Sequence, residues 1–524
     1  MTRSPLFIFL AMILISMFVP SCMRYEENIP EPKPSPGNVL HIDVPTPLVG
    51  FSPFNEEAGS CFVFPFLHGY LFLPDEYGEL RPMLAASWSY DFRNLTWAIN
   101  LRKDVRFHNG KTVIGDDVVY SMQERLRNVR PQLYQVIEKI NSLSDVVIHI
   151  ILKKDDPDFL SKVWDTEIVP RPTDSTEDHK EHPIGSGPFK FKSRDGEEKV
   201  ELTANDYFYK GRPSLDGVVI HYEADSEKSW ARLINGTTDI AFRICPNDYN
   251  VLEKHKELFY LNSHILLYYT ILLYNIYNPI FDDPNVRLAL ALAIDKEAII
   301  KEVFKGFAKI SSGPVSHVSS IHSGNIEPTP YNPEKALKLL LEAGWSYDER
   351  SKYLKKDGRY FEFSILTFSR DMIMRRVADY LQLYFNDIGI MAHLSSLPID
   401  EAQKRYIRNT EFQAVLTELR SCIQTPEALM DLWSSIGPGK SAAGCFEDPR
   451  LTRVLAEAVN ESDPEKKQEL IGKAEAIIVS LQPGTFLFHR MSLDVMSRRI
   501  HFPYPFSIKY EDLCRLPYAS IQPR

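Results

Sequence analysis

Cysteine, histidine and paired carboxylates are the side chains from which this chain could build a reactive or metal-binding centre, and their spacing argues mostly against one. His179-Lys180-Glu181-His182 offers two imidazoles in a charged loop with no third ligand in the pattern, so it reads as solvated surface. His317 and His322 flank a serine-rich loop. Cys22, Cys61, Cys245, Cys422, Cys445 and Cys514 include no CxxC pair. Setting Cys22 aside leaves an odd, irregularly spaced set that fits neither a disulfide framework nor a zinc site. Cys422 and Cys445 could still pair in an oxidising compartment, a matter that spacing does not decide. Gly185-Ser186-Gly187-Pro188 has the look of a phosphate loop, but Phe189-Lys190-Phe191-Lys192 alternates as a strand behind it, so no helix N-terminus would face an anion. Asp116-Asp117 and Asp282-Asp283 sit at expected helix starts, where capping and the helix dipole account for them. There is no GxSxG nucleophile elbow and no HExxH. No catalytic constellation emerges, so these residues point to no enzyme, no cofactor and no metal.

The elements that would position binding residues are those of a large exported protein. Arg3 precedes an apolar run from Leu6 to Val19, about 14 residues against the roughly 20 that a spanning helix needs. Val19-Pro20-Ser21-Cys22 resembles the bacterial lipobox, which makes residues 1–21 a signal peptide and Cys22 the lipidation site. An uncleaved anchor or plain secretion is the alternative. Residues 22–37 read as a tether, with prolines at 30, 32, 34 and 36 favouring an extended polyproline II spacer. The expected location is the periplasm or an equivalent envelope compartment, anchored to the membrane by lipid. The rest, on the order of 500 residues, exceeds one hydrophobic core and implies two or three domains with a cleft between them. Net charge is −10 and no lysine and arginine stripe is present, which excludes nucleic acid as a natural partner. Aromatic residues make up 12% of the chain, compatible with pocket walls but mostly explained by core packing.

Local signals outline a mixed chain. Leu95 to Leu101 and Val146 to Leu152 are strand-like, Asn109-Gly110 suggests a two-residue hairpin with positive φ at both positions, and a helix starts near Asp116 with Val118, Met122 and Leu126 on one face. Past Asn278 long helices begin at Asp283-Pro284, Asn332-Pro333, Asp448-Pro449 and Asp463-Pro464, where a capping side chain precedes a proline at the first helical position. Gly306 and Gly344 mark helix ends, and strands over Phe361 to Thr367 and Phe412 to Thr417 interleave. The class is α/β.

Four blocks together carry a family resemblance: the stretch from Leu80 to Met122 (LRPMLAASWSYDFRNLTWAINLRKDVRFHNGKTVIGDDVVYSM), PIGSGPFKFKS from Pro183, NPIFDDPNVRLALALAIDKEAII from Asn278 and YNPEKALKLLLEAGW from Tyr331. In this order and spacing the chain resembles bacterial solute-binding protein family 5, the extracytoplasmic receptors of oligopeptide and dipeptide ABC importers. The resemblance implies a two-lobe periplasmic-binding-protein fold of type II with an extra domain inserted in the first lobe. Lobe I would comprise 38–54, 183–274 and 486–524, the additional domain 55–182, and the second large lobe 275–485. It implies short peptides as ligands, bound as an added strand in the interlobe cleft and delivered by hinge closure to the permease's transmembrane subunits, the receptor being a monomer.

By the same resemblance the ligand strand falls at Glu56-Glu57-Ala58-Gly59-Ser60-Cys61, with Glu56, Ala58, Gly59 and Cys61 as contacts, and Tyr274 and Asn275 lie at a hinge crossover lining the cleft. An acidic surface loop and plain hinge packing are the respective alternatives. Relatives place an aspartate four residues before a proline to pair with the peptide α-amine; here Cys422 stands at that distance from Pro426. A thiol cannot supply that charged pair. Glu418 or Glu427 could take the role, while Arg420 favours a ligand carboxylate. Relatives that carry nickel leave a metal complex open, through His317 and His322. A muropeptide as ligand stays open as well, as does the role of a non-transport adhesin or signalling lipoprotein built on the same fold.

Overall fold

The computed structural model describes residues 38–54, 59–75, 79–172, 182–266, 268–316, 319, 322, 326–348, 350–368, 372–402, 411–420, 426–433, 448–461, 463–501 and 520–521. The signal, Cys22 and the tether lie outside them.

The local signals translate into elements for identifiable reasons. Asp283, Asn332, Asp448 and Asp463 each accept a hydrogen bond from a backbone N–H of the first helical turn, at 2.8, 2.9, 2.8 and 3.0 Å to the nearest donor. The helices behind them are Pro284–Leu292, Pro333–Glu342, Pro449–Asn460 and Pro464–Leu481. Asp117 accepts from the N–H groups of Ile114 and Arg171, and Asp116 pairs with Arg171 at 3.2 Å, so this carboxylate pair works as a helix start. The hairpin at Asn109 differs from expectation. Only Gly110 has positive φ, 87°, and its N–H reaches the Phe107 carbonyl, a longer loop in which glycine alone takes the left-handed position.

Twelve strands form one continuous network. Its axis is the strand Gly484–Ser497, whose two halves serve different lobes. The later half pairs with Phe259–Ile265 and Ile240–Ala241, and the sheet continues through Val39–Val44, Gly217–Tyr222, Lys199–Ala204 and Phe189–Asp195. The earlier half pairs with Tyr268–Tyr274 and Ala308–Ile310, and this sheet continues through Ala414–Arg420, Glu362–Phe368 and Met391–Leu397. Each half has its own core, one around Phe189, Val200 and Ile220, the other around Phe281, Phe361 and Phe363. A third core belongs to the additional domain, where Gly115–Val129 covers a four-stranded antiparallel sheet.

Strand pairing moves two of the expected boundaries and core packing a third. Tyr268–Tyr274 belongs to the second lobe, because its partners are Ala414–Arg420 and the early half of Gly484–Ser497. The first crossover therefore lies at 266–268 and not after Tyr274. His489 and Arg490 still pair with Ala308–Ile310, and the return to lobe I comes at Met491, opposite Ile265, and not at 486. Val63, Phe64, Phe66 and Leu67 pack into the lobe I core, so the additional domain begins after them and not at 55. Its junction with lobe I is tight. A Cβ on Gly185 would stand 1.9 Å from the Leu67 carbonyl oxygen, and half-buried His108 bonds both Gly185 and Gly187. The glycine-rich loop is a packing device with no space for a phosphate.

Candidate functional site: the junction between the lobes

Both crossovers run side by side. Leu266 N–H donates to the Arg490 carbonyl at 2.8 Å, and His489 Nδ1 lies 3.2 Å from the Tyr268 carbonyl. Two adjacent strands thus form the connection between lobes, which leaves a hinge at one end of the cleft. Contacts beside it are partly apolar: Tyr249 of lobe I meets Phe307 of the second lobe with ring centroids 5.3 Å apart, edge to face.

Charged groups gather around this hinge. Glu418 and Arg490, from the two strands that flank Tyr268–Tyr274, pair at 3.4 Å, both largely screened from water. Asp494 is fully buried; it accepts from Ser492 Oγ at 2.6 Å and from Arg243 N–H at 3.1 Å, and its second oxygen lies 3.3 Å from His264 Nδ1. Burial pushes its carboxyl up to about 6, against the stabilising influence of its hydrogen bonds and of Arg243. Nearby, Glu167 is buried and pushed up to about 7, Arg125 at 3.7 Å being too remote to offset the desolvation.

Of the residues expected to bind ligand, Glu56 and Ala58 lie outside the described residues. Gly59 has φ 78°, and a Cβ there would approach the Pro47 carbonyl oxygen to 2.4 Å, so only glycine fits. Cys61 is exposed at the surface, yet the surrounding protein desolvates its thiol and pushes it up to about 11. Glu167 and Arg243 both act on that thiol, which brings this segment, the additional domain's edge and the hinge into one neighbourhood. Glu418 stands at the hinge as described, and Arg420 is paired in register with Tyr268 at the same end of its strand. Cys422 lies outside the described residues, as does the side chain of Glu427.

Tyr274 and Asn275 are placed differently. They end the strand that begins at the hinge with Tyr268, some 20 Å away at about 3.4 Å per residue. Tyr274 is fully buried, stacked on Phe281, with its hydroxyl 2.7 Å from Thr485 Oγ1. Asn275 donates from its side chain to the Phe412 carbonyl at 3.0 Å. Both organise the second lobe's core and turn and do not line the cleft at the crossover. The error follows from the boundary: with the crossover set after Tyr274, these two became hinge residues.

Sequence patterns passed over Arg243, Arg490, Asp494 and Glu167. None lies in a motif, and only strand pairing across more than two hundred positions brings Arg243 to Asp494.

Comparison with known proteins defines the class. The model of the bacterial extracellular solute-binding proteins, family 5 (middle region), matches residues 79–441, and the chain belongs to this family. It is 27% identical over 410 residues to the oligopeptide-binding protein AppA of Bacillus subtilis, covering 74% of this chain and 75% of that protein. The structure of AppA in complex with a nonapeptide superposes with a TM-score of 0.79 at 24% identity, covering 94% of this chain and all of that one. NikZ of Campylobacter jejuni in complex with Ni(L-His) gives a TM-score of 0.77 at 25% identity over 89% of this chain and 95% of that one. The two-lobe α/β fold is therefore that of the peptide-binding cluster.

Proposed function

We propose that the chain is the extracytoplasmic receptor of an ABC importer for short peptides, monomeric and held to the membrane by lipid on Cys22. The carrying observation is the hinge: two strand crossings side by side, with separately packed lobes on either side and polar groups facing the junction between them. Ligand touching both lobes favours the closed form, and that difference in affinity is what drives closure. Peptide main chain would pair with the segment around Gly59 to Cys61, where glycine's left-handed backbone shapes the edge. The resemblance to AppA supports peptides as the ligand class. Nothing in the recognition of a free amine is inherited automatically, because Cys422 stands at the spacing from Pro426 where the resemblance places the aspartate of relatives.

The test is mass spectrometry of what co-purifies with the full chain, followed by calorimetry with the peptides found. Peptides released on denaturation support the reading. A nickel complex or a sugar-bearing peptide released instead would replace it, and an empty protein that binds no member of a peptide mixture would favour an adhesive or signalling role.

A further inference from the structure

Arg243 has a backbone that needs explaining. It follows the short strand Ile240–Ala241 with φ 56°, a left-handed conformation that a residue bearing a Cβ adopts only where its surroundings enforce it. The enforcement is visible. Its N–H is held by Asp494, and the next N–H, of Ile244, donates to the Leu493 carbonyl at 2.8 Å. The side chain adds no bond of its own to the fold: it is half-buried, and among the described residues no hydrogen bond or ion pair reaches its guanidinium. The strained backbone thus aims a charged group that no described residue neutralises directly.

Arg243 is one of the residues lining a cavity of about 30 Å³ at the hinge. Arg490 of the second lobe lines the same cavity, and Leu266, Phe304, Phe307 and Met491 supply apolar wall. Arg490 meets Glu418 at a long 3.4 Å and lies 6.0 Å over the Phe304 ring. Two guanidiniums on one small, partly apolar cavity repel each other, and an anion between them turns that repulsion into attraction. The volume holds about two waters. A peptide residue does not fit, whereas a carboxylate does, and guanidiniums match it with paired donors.

We propose that Arg243 and Arg490 form a carboxylate pocket at the hinge end of the interlobe cleft, bridging the lobes through the ligand's anion; this rests on the peptide-receptor reading above. The carboxylate comes from an acidic ligand side chain or from the peptide C-terminus. Because one arginine belongs to each lobe, the anion binds the closed form in preference to the open one, and the pocket couples ligand charge to closure.

Arg243→Gly separates this role from a structural one. Glycine takes φ 56° without strain, so thermal stability should hold or rise while carboxylate binding falls. The full chain and the variant are titrated by calorimetry with Ala-Ala-Glu, Ala-Ala-Gln and the C-terminal amides of both. If a side chain fills the pocket, replacing Glu by Gln weakens wild-type binding roughly 10- to 150-fold; if the C-terminus fills it, amidation does so. Arg243→Gly should show the same loss for the carboxylate form and none beyond it for the neutral form, and Arg490→Met should repeat the pattern from the other lobe. Wild-type affinities for all four peptides in Arg243→Gly would overturn the proposal, as would an equal loss for all four. Should no peptide bind the wild type, the peptide reading falls, and glutarate then tests the pocket alone: it should raise the wild-type melting temperature and leave Arg243→Gly unmoved, whereas equal shifts would overturn the proposal.

Discussion

Asp494 carries a carboxylate where desolvation outweighs its partners, and this has a consequence for stability. Its carboxyl titrates near 6 in the folded protein against the ordinary 3.8. Between those values the folded form keeps a proton that the unfolded chain releases, so the group's contribution is most favourable at low pH and is lost as pH rises through 6. The full effect is about 3 kcal/mol at most, from about two pH units at ~1.4 kcal/mol each. Asp494→Asn can still accept from Ser492 and the Arg243 N–H and can donate to His264. It should therefore be more stable than the wild type at pH 7.5 by about 1–3 kcal/mol and no more stable at pH 4. Urea midpoints at the two pH values test this, and an unchanged difference between the proteins would show that Asp494 is not the raised group. His108, which desolvation pushes down to about 4, works in the opposite sense below 6.5, which is why the variant difference and not the wild-type slope is the informative quantity. At Gly59 the reasoning is steric. Gly59→Ala combines a positive φ with a Cβ at 2.4 Å from the Pro47 carbonyl oxygen, an expected cost of about 1–3 kcal/mol in the same assay. A neutral result would mean that the segment rebuilds around the methyl.

Among the elements, the second lobe's helices are the most legible in the sequence because their start signals are local. Asp448 before Pro449 accepts from the N–H groups of Arg450 and Leu451, and Asp448→Ala should cost about 1 kcal/mol, read as a lower melting temperature with the circular dichroism spectrum retained. No loss on removing that carboxylate would show that the helix start is held by tertiary packing alone. The sheet is less legible for a physical reason. Tyr268–Tyr274 is an almost continuous apolar strand, buried from Tyr269 onward, and such a run suits a central position in either lobe. What assigns it is pairing with Ala414–Arg420 and Gly484–Thr485, partners far along the chain whose register leaves no local trace. The misplaced crossover, and with it Tyr274 and Asn275, follow from that. Arg243 was invisible for a related reason: its left-handed backbone is imposed by Asp494 from across the sheet, whereas sequence signals such a position only where it is glycine. Gly59, by contrast, is a glycine at positive φ, the kind of position a sequence can signal.

At the scale of the whole molecule, two lobes with separate cores meet at paired crossovers. A ligand held by both lobes stabilises the closed arrangement by the difference between its affinities for the two forms, and binding to the native state alone raises stability by about 2.7 kcal/mol at a hundredfold excess over Kd. Relative motion must pivot where Leu266 bonds to Arg490, and it must shear the adjacent Tyr249 and Phe307 contact. Phe307→Ala removes an apolar ring from this contact while leaving the charged groups in place. It should widen the range of lobe orientations in the unliganded protein, seen as a larger radius of gyration in small-angle scattering, and weaken ligand binding by increasing the share of open forms that closure must overcome. Added ligand should shrink the radius in the wild type and, at saturation, bring the variant to the same value, because the closed form is defined by ligand contacts and not by the ring pair. A wild-type radius that does not change on saturation with a ligand proven by calorimetry would remove hinge closure from the account and leave the junction as a rigid, preformed cleft.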